Sequence, residues 1–230
     1  MSGIPVVDIS YLVSSYLEKE IDPVQFAADE NIQLLSKQVV NAFTSWGFVY
    51  FKGHQIPQEL INRAFNVSRE YFSLDSKVKL KIPRDNNNKD NFGYVPYKVE
   101  TFELTRPFDL KECFNFLPKC NSEAAMATSH PDFWYTGNEF YRTCSKLAHV
   151  LFYLFDVCLG VRGHSFLAEH HKLFGDYVTN ATTLRLLYYP RVDKDDVMER
   201  QLRCGEHSDY GSFTLLFQDQ AGGLQVSQVF

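Results

Sequence analysis

Leu184-Arg-Leu-Leu-Tyr-Tyr-Pro190, Gly205-Glu-His207-Ser-Asp209-Tyr-Gly211, Phe213-Thr-Leu-Leu-Phe-Gln-Asp219 and Gly222-Gly-Leu-Gln-Val226 follow one another in the last fifth of the chain, and how they are read decides the fold. His207 and Asp209 are two apart in a strand-like stretch, which lets both side chains point to one face. Glu206 alternates to the opposite face. An imidazole and a carboxylate on one face are two of the three groups in the 2-His-1-carboxylate triad that holds non-haem Fe(II). A lone His-x-Asp also fits a surface turn ahead of a strand, so the match draws its weight from the runs on either side. No His, Arg or Lys follows Asp209.

Outward from this run, the last part of the chain reads as short strands: Thr182 to Tyr189, Gly211 to Phe217 and Leu224 to Phe230. The earlier part is mainly helical. Ile32, Leu35, Val39, Phe43 and Trp46 fall at spacings of three and four, which predicts a helix over 29–46 stopped by Gly47. Phe48-Val-Tyr-Phe51 is a β-type run, as is Ile4-Pro-Val-Val-Asp-Ile9. Pro57 opens a second helix with Leu60, Ile61, Ala64, Phe65, Tyr71 and Phe72 as its apolar positions. The clearest helix spans about 138–159 on Phe140, Cys144, Leu147, Leu151, Leu154 and Cys158, with Gly160 as its stop signal. Phe108 to Phe116 alternates in part and reads as a strand. Residues 85–91 and 121–130 are polar and read as loops. No internal repeat or inter-domain linker is visible.

Composition narrows the class. Twenty Phe and thirteen Tyr among 230 residues describe a globular protein with a ring-rich core. A net charge of -5 offers no electrostatic footprint for nucleic acid or an anionic membrane. The five Cys form no CxxC pair and read as free thiols. With no secretory signal and no apolar stretch long enough to span a bilayer, the expectation is a cytoplasmic protein.

Taken together, these motifs resemble the isopenicillin-N-synthase-like branch of the Fe(II)- and 2-oxoglutarate-dependent dioxygenases. The N-terminal Ile4-Pro-Val-Val-Asp-Ile9, the stretch Trp46-Gly-Phe-Val-Tyr-Phe-Lys-Gly-His-Gln-Ile-Pro57 and Phe92-Gly-Tyr94 agree with it, over nearly the whole chain. The resemblance implies an α+β fold, with N-terminal helices packed on a double-stranded β-helix (jelly-roll) core. It divides the chain into 1–175, an N-terminal helical region with a few strands, and 176–230, the first part of the jelly-roll domain. It implies His207 and Asp209 as iron ligands, Tyr189 as a contact to the cosubstrate, and Phe92 and Tyr94 as substrate-pocket residues. Alternation alone leaves open whether Tyr188 or Tyr189 faces the site.

The implied activity is oxidation of a small molecule, using O2 and 2-oxoglutarate and releasing succinate and CO2, with ascorbate as a further reductant. The family's Asn two residues before the tyrosine is Leu187 here. Its distal His and its oxoacid-binding Arg lie downstream of Gly222–Val226, where Ser227–Phe230 do not continue the pattern. The chain therefore reads as C-terminally truncated relative to the family, with an incomplete jelly roll, and activity of the 230 residues by themselves is left open. Two alternatives accompany this reading. One is a non-catalytic remnant acting as a binding or regulatory fragment, self-associating through an open β edge. The other is an iron oxidase independent of 2-oxoglutarate. His54, His149, the His170-His171 pair, Arg185 and Arg203 read as structural or surface residues.

Overall fold

The computed structural model describes residues 3–84, 91–101, 105–117, 123–171 and 182–227. In chain order the elements are β1 (Val6–Asp8), α1 (Ser10–Tyr16), α2 (Pro23–Ala28), α3 (Glu30–Trp46), β2 (Tyr50–Lys52), α4 (Gln58–Ser73), α5 (Ser76–Lys79), β3 (Gly93–Val95), β4 (Glu112–Phe116), α6 (Glu123–Ser129), α7 (Pro131–Cys158), α8 (Phe166–His171) and β5 (Leu184–Tyr188). They fall into two compact units. One comprises Met1–Pro57, Arg142–Asn180 and Phe217–Phe230; the other comprises Gln58–Tyr141 and Ala181–Leu216. No helix among the described residues is long and apolar enough to cross a membrane.

The first unit is helical around a short parallel β1–β2 pair in which Val6 faces Tyr50 and Asp8 faces Lys52. Helix α3 starts where it does because the Asp29 carboxylate accepts the Asn31 and Ile32 N–H groups, which have no partner inside the helix. It stops at Gly47, whose left-handed backbone (φ 68°) returns an N–H to the Phe43 carbonyl. Ile32, Leu35, Val39 and Ala42 are its buried stripe, and Phe43 meets Phe155 of α7 edge-on at 5.8 Å. Phe26 lies between Tyr16 and Tyr153, at 4.8 and 5.9 Å. Asp156 is fully buried and accepts the Leu167 N–H at the start of α8.

In the second unit, β3, β4 and β5 form an antiparallel sheet whose register pairs Tyr94 with Phe114 and Phe114 with Leu186. One face carries Tyr94, Phe114, Phe116, Leu184, Leu186 and Tyr188. It packs on Tyr71 and Phe72 of α4, Met126 of α6, and Phe133 and Trp134 of α7. Tyr71 stacks on Phe133 at 4.1 Å, and Tyr188 stacks on Phe72 at 5.4 Å. Gly137 is required by this packing, since a Cβ there would lie 2.5 Å from the Phe116 ring. Lys79 and Glu112 are paired at this face. Lys79 Nζ donates to Glu112 at 2.7 Å and to the Phe72 carbonyl at 2.8 Å, and the Tyr94 hydroxyl donates to the same carboxylate.

Several expectations are corrected. The polar stretch expected as a loop over 121–130 contains α6, because Glu123-Ala-Ala-Met-Ala are strong helix formers. Helix α7 begins at Pro131, a full two turns before the apolar alternation becomes regular. The runs 211–217 and 224–227 are not paired strands among the described residues. They have β-type sequence but no neighbouring strand to supply their hydrogen bonds. The loop expected over 85–91 lies outside the described residues except for Asn91, as do Cys120, Val229 and Phe230. Cys113, Cys144, Cys158 and Cys204 are free thiols, as expected.

Candidate metal centre

Alternation along β5 turns Leu184, Leu186 and Tyr188 into the aromatic core, which leaves Arg185, Leu187 and Tyr189 for the other face. Tyr188 therefore packs in the core and Tyr189 does not. On that face, β4 presents Cys113 and Asn115, and Lys111 immediately precedes them in the same alternation. The face is polar. Glu100 accepts from both Arg84 and Arg185. Burial alone would raise the Glu100 carboxyl, but the Arg185 and Arg84 guanidiniums outweigh it and hold the group below its ordinary range. Arg185, expected as a surface residue, is thus half of a partly buried ion pair. Burial pushes the Cys113 thiol up to about 12.

The segment that carries His207 and Asp209 is docked along the residues that lead into β4. Gln201 Nε2 donates to the Phe108 carbonyl at 2.8 Å, and the Leu110 N–H donates to the Leu202 carbonyl at 2.9 Å. The Gly205 N–H donates to Asp109 Oδ1 at 3.1 Å. Asp109 Oδ2 is paired with Lys111 Nζ at 2.7 Å, with both side chains no more than 4% exposed. Lys111 also lies 3.4 Å from the Cys204 thiol. Arg203 donates to the Pro190 carbonyl, a structural contact.

His207 and Asp209 emerge from this anchored segment. They stand in a loop and not in the strand that the expectation of a shared face assumed, but the two side chains lie close together. His207 Nε2 is 3.5 Å from Asp209 Oδ1. The outward atoms of both groups are occupied. His207 Nδ1 lies 2.9 Å from the Gly205 carbonyl, which can only accept, so this contact orients the imidazole ring. The Thr214 hydroxyl donates to Asp209 Oδ2. Two inward donors 3.5 Å apart can both reach one ion at metal–ligand lengths of about 2.1 Å. Their outer atoms are held as ligand atoms usually are. The pair therefore fits a divalent ion such as Fe(II). Among the described residues, no group of three or more His, Cys, Asp and Glu is arranged to hold a metal.

Tyr189 belongs to the same neighbourhood through Cys204, whose sulfur is 4.0 Å from His207 Nδ1. Burial, followed by the adjacent Cys204 thiol and Asp109, pushes the Tyr189 phenol well above its ordinary value, so it is a proton-bearing donor at neutral pH. Phe92 and Tyr94 occupy the opposite, aromatic face. They are 6% and 3% exposed, Phe92 against Phe114 and Trp134, and Tyr94 on Glu112. His54 accepts the Ile56 N–H within a turn, as a structural residue; His171, expected to be solvated, stacks on Phe152 at 3.9 Å. Three site residues escaped the sequence reading: Asp109, Lys111 and Thr214. The signal for the first two was a pair of charges at alternate positions in an otherwise strand-like run.

Residues 4–137 match the family described as non-haem dioxygenase in morphine synthesis, N-terminal, and residues 180–229 match the 2OG-Fe(II) oxygenase superfamily. Clavatol oxidase of Penicillium crustosum is 31% identical over 97% of this chain and 68% of its own length. The chain belongs to the 2OG-Fe(II) oxygenase superfamily. Within that superfamily it also resembles a 2-oxoglutarate-dependent dioxygenase of Talaromyces stipitatus, at 28% identity over 97% of this chain and 69% of that protein. A "Probable iron/ascorbate oxidoreductase" of Dictyostelium discoideum is 30% identical over 84% of this chain, which spans 60% of that relative. Among solved structures, a full-length Neurospora crassa protein in complex with alpha-KG superposes with a TM-score of 0.65 at 25% identity. That match covers 91% of this chain and 62% of the other. A superfamily member from Caulobacter crescentus shares the fold at a TM-score of 0.58 and 20% identity, over 85% of this chain and 59% of its own.

Proposed function

We propose that this chain carries the iron-binding segment of an Fe(II)- and 2-oxoglutarate-dependent oxidoreductase acting on a small molecule. The observation that carries the reading is the inward-facing His207 Nε2 and Asp209 Oδ1, 3.5 Å apart, with their outer atoms already bonded. Membership of the superfamily supports the cosubstrate, and the name of the Dictyostelium relative supports ascorbate as an accessory reductant. When bound, iron and 2-oxoglutarate supply the activation of O2 that is coupled to release of succinate and CO2. The chain's own part is to bind and orient. His207 and Asp209 hold the ion, the Gly205 carbonyl orients the His207 ring, and Thr214 fixes the carboxylate. Tyr189 offers a phenolic proton to a carboxylate of the oxoacid.

The antiparallel β3–β4–β5 sheet, with one aromatic and one polar face, supports a jelly-roll core. The two family matches support a division into 1–175 as the N-terminal region and 176–230 as the first part of that core. Phe92 and Tyr94 back the sheet from its aromatic side, which supports an indirect part in shaping a pocket. Free thiols at all four described cysteines support a cytoplasmic setting.

The test is an anaerobic titration of the chain with Fe(II) and 2-oxoglutarate, following the visible metal-to-ligand charge-transfer absorption of the chelate. The band is expected with the unaltered chain and absent in His207→Ala. A folded chain that never develops it would refute the proposed site.

A further inference from the structure

We propose that Asn115 and Arg185 form a substrate-recognition subsite on the polar face of the β3–β4–β5 sheet, built for a small molecule that presents an amide edge, a carbonyl beside an N–H. The inference rests on the reading of the chain as part of an oxidoreductase acting on a small molecule, and it names the class of that molecule. Asn115 lies in the middle strand and is fully buried. Its Nδ2 donates to Asn91 Oδ1 at 2.9 Å, which fixes the plane of the side-chain amide. Its Oδ1 is buried with no hydrogen-bond partner among the described residues. A buried carbonyl oxygen without a donor is costly and uncommon, and a ligand that supplies the donor removes the cost.

The register places a complementary group beside it. Asn115 faces Gly93 on β3, which has no side chain, and Arg185 on β5. Asn115 and Arg185 are thus cross-strand neighbours on one face, in strands about 4.8 Å apart. Arg185 Nη2 donates to Glu100, which also accepts from Arg84, and Arg185 Nε and Nη1 have no partner among the described residues. Glu100 holds the guanidinium aside, so a strong donor and an unsatisfied acceptor stand next to each other unbonded. A cis amide edge answers both, donating its N–H to Asn115 Oδ1 and accepting from Arg185 at its carbonyl. A carboxylate brings no proton to Asn115, and an ammonium is repelled by Arg185. Asn115 is sealed while the Arg185 side chain is 30% exposed, so the ligand enters as Arg185 shifts outward.

The face continues toward the proposed metal centre. Leu187 and Tyr189 follow Arg185 at alternate positions and are both partly open to solvent. Tyr189 stands about 13 Å along the strand from Arg185. A molecule anchored by its amide edge therefore lays the rest of its length over Leu187, toward the end of the strand that carries Tyr189.

The test uses succinimide as the probe, at pH 7 and without metal, and reads the side-chain NMR signals of the Asn115 amide and the Arg185 guanidinium. N-methylsuccinimide keeps both carbonyls and lacks the N–H. Glutarate is an anion with no donor. Succinimide is expected to shift both signals saturably. N-methylsuccinimide and glutarate are expected to bind at least about tenfold more weakly, since a site with a buried acceptor rejects a ligand that leaves it unpaired. Asn115→Leu and Arg185→Gln should each weaken succinimide about tenfold, and Arg84 still pairs with Glu100 in the second. Absence of a succinimide shift overturns the proposal, as does N-methylsuccinimide binding equally well. Tighter binding of glutarate overturns it in favour of a plain anion site. These comparisons use the unaltered chain, so they decide the matter if Asn115→Leu does not fold. If succinimide binds as expected while Fe(II) and 2-oxoglutarate never develop their charge-transfer band, the metal assignment fails and the subsite stands. A band without succinimide binding is the reverse.

Discussion

The Tyr189 hydroxyl stands on the polar side of the sheet beside Cys204, and its removal is a clean subtraction because the ring is already 39% exposed. Tyr189→Phe is expected to leave folding intact and to weaken 2-oxoglutarate binding to the Mn(II)-loaded chain about fivefold by isothermal titration, the worth of one hydrogen bond of about 1 kcal/mol. Unchanged affinity would remove Tyr189 from the cosubstrate site. The residues of the centre differed in how readable they were. His207 and Asp209 could be read because two positions of one short run suffice to put them together. Tyr189 could be singled out from Tyr188 only when the Phe72 stack showed which of the two the core takes. Asp109 shows in the sequence only as a charge alternating with Lys111 in a strand-like run, and its contact with Gly205, 96 residues away, leaves no mark there.

Among the elements, α3 rests on its first residues. The Asp29 carboxylate caps the helix and also accepts the Tyr11 and Tyr16 hydroxyls, each at 2.6 Å. Burial alone would raise this group, but the two tyrosines and the cap bonds outweigh it and hold it at about 2. A carboxyl whose folded value is depressed stabilises the protein above its unfolded value and loses that contribution as pH falls through the folded one. Asp29→Ala is therefore expected to lower stability to urea by about 1 kcal/mol at neutral pH, the ordinary worth of a cap. The gap between the two proteins should close between about pH 4 and pH 2. A gap that persists at pH 2 would show that the side chain acts by packing instead. The helices α3 and α7 were legible because a stripe at spacings of three and four has one structural solution. Helix α6 was hidden behind small residues that resemble a loop. The β3–β4–β5 register depends on which aromatic rings meet, and many pairings of Phe and Tyr are equally apolar on paper.

For the molecule as a whole, the segment from Tyr210 to Leu224 carries several exposed apolar side chains. Tyr210 is fully exposed, and Leu216 and Leu224 are more than half exposed, in a run whose backbone has no partner strand among the described residues. Extended apolar chain in this condition tends to pair with a second copy. Sedimentation velocity is expected to show concentration-dependent association of the 230-residue chain, suppressed by Leu216→Lys together with Leu224→Lys. A monomer at all concentrations would show that the edge is otherwise protected.

The bond from Gly205 to Asp109 joins the two segments that match family descriptions separately, 180–229 and 4–137. The stretch proposed to bind iron is therefore not a transplantable cassette. A chimera that placed residues 180–229 behind a foreign N-terminal half would inherit His207 and Asp209 and lose the acid that grips their loop. Recombination between relatives should thus be tolerated only where the incoming half brings its own carboxylate to that spot, and the two halves are bound to drift through evolution as a matched pair.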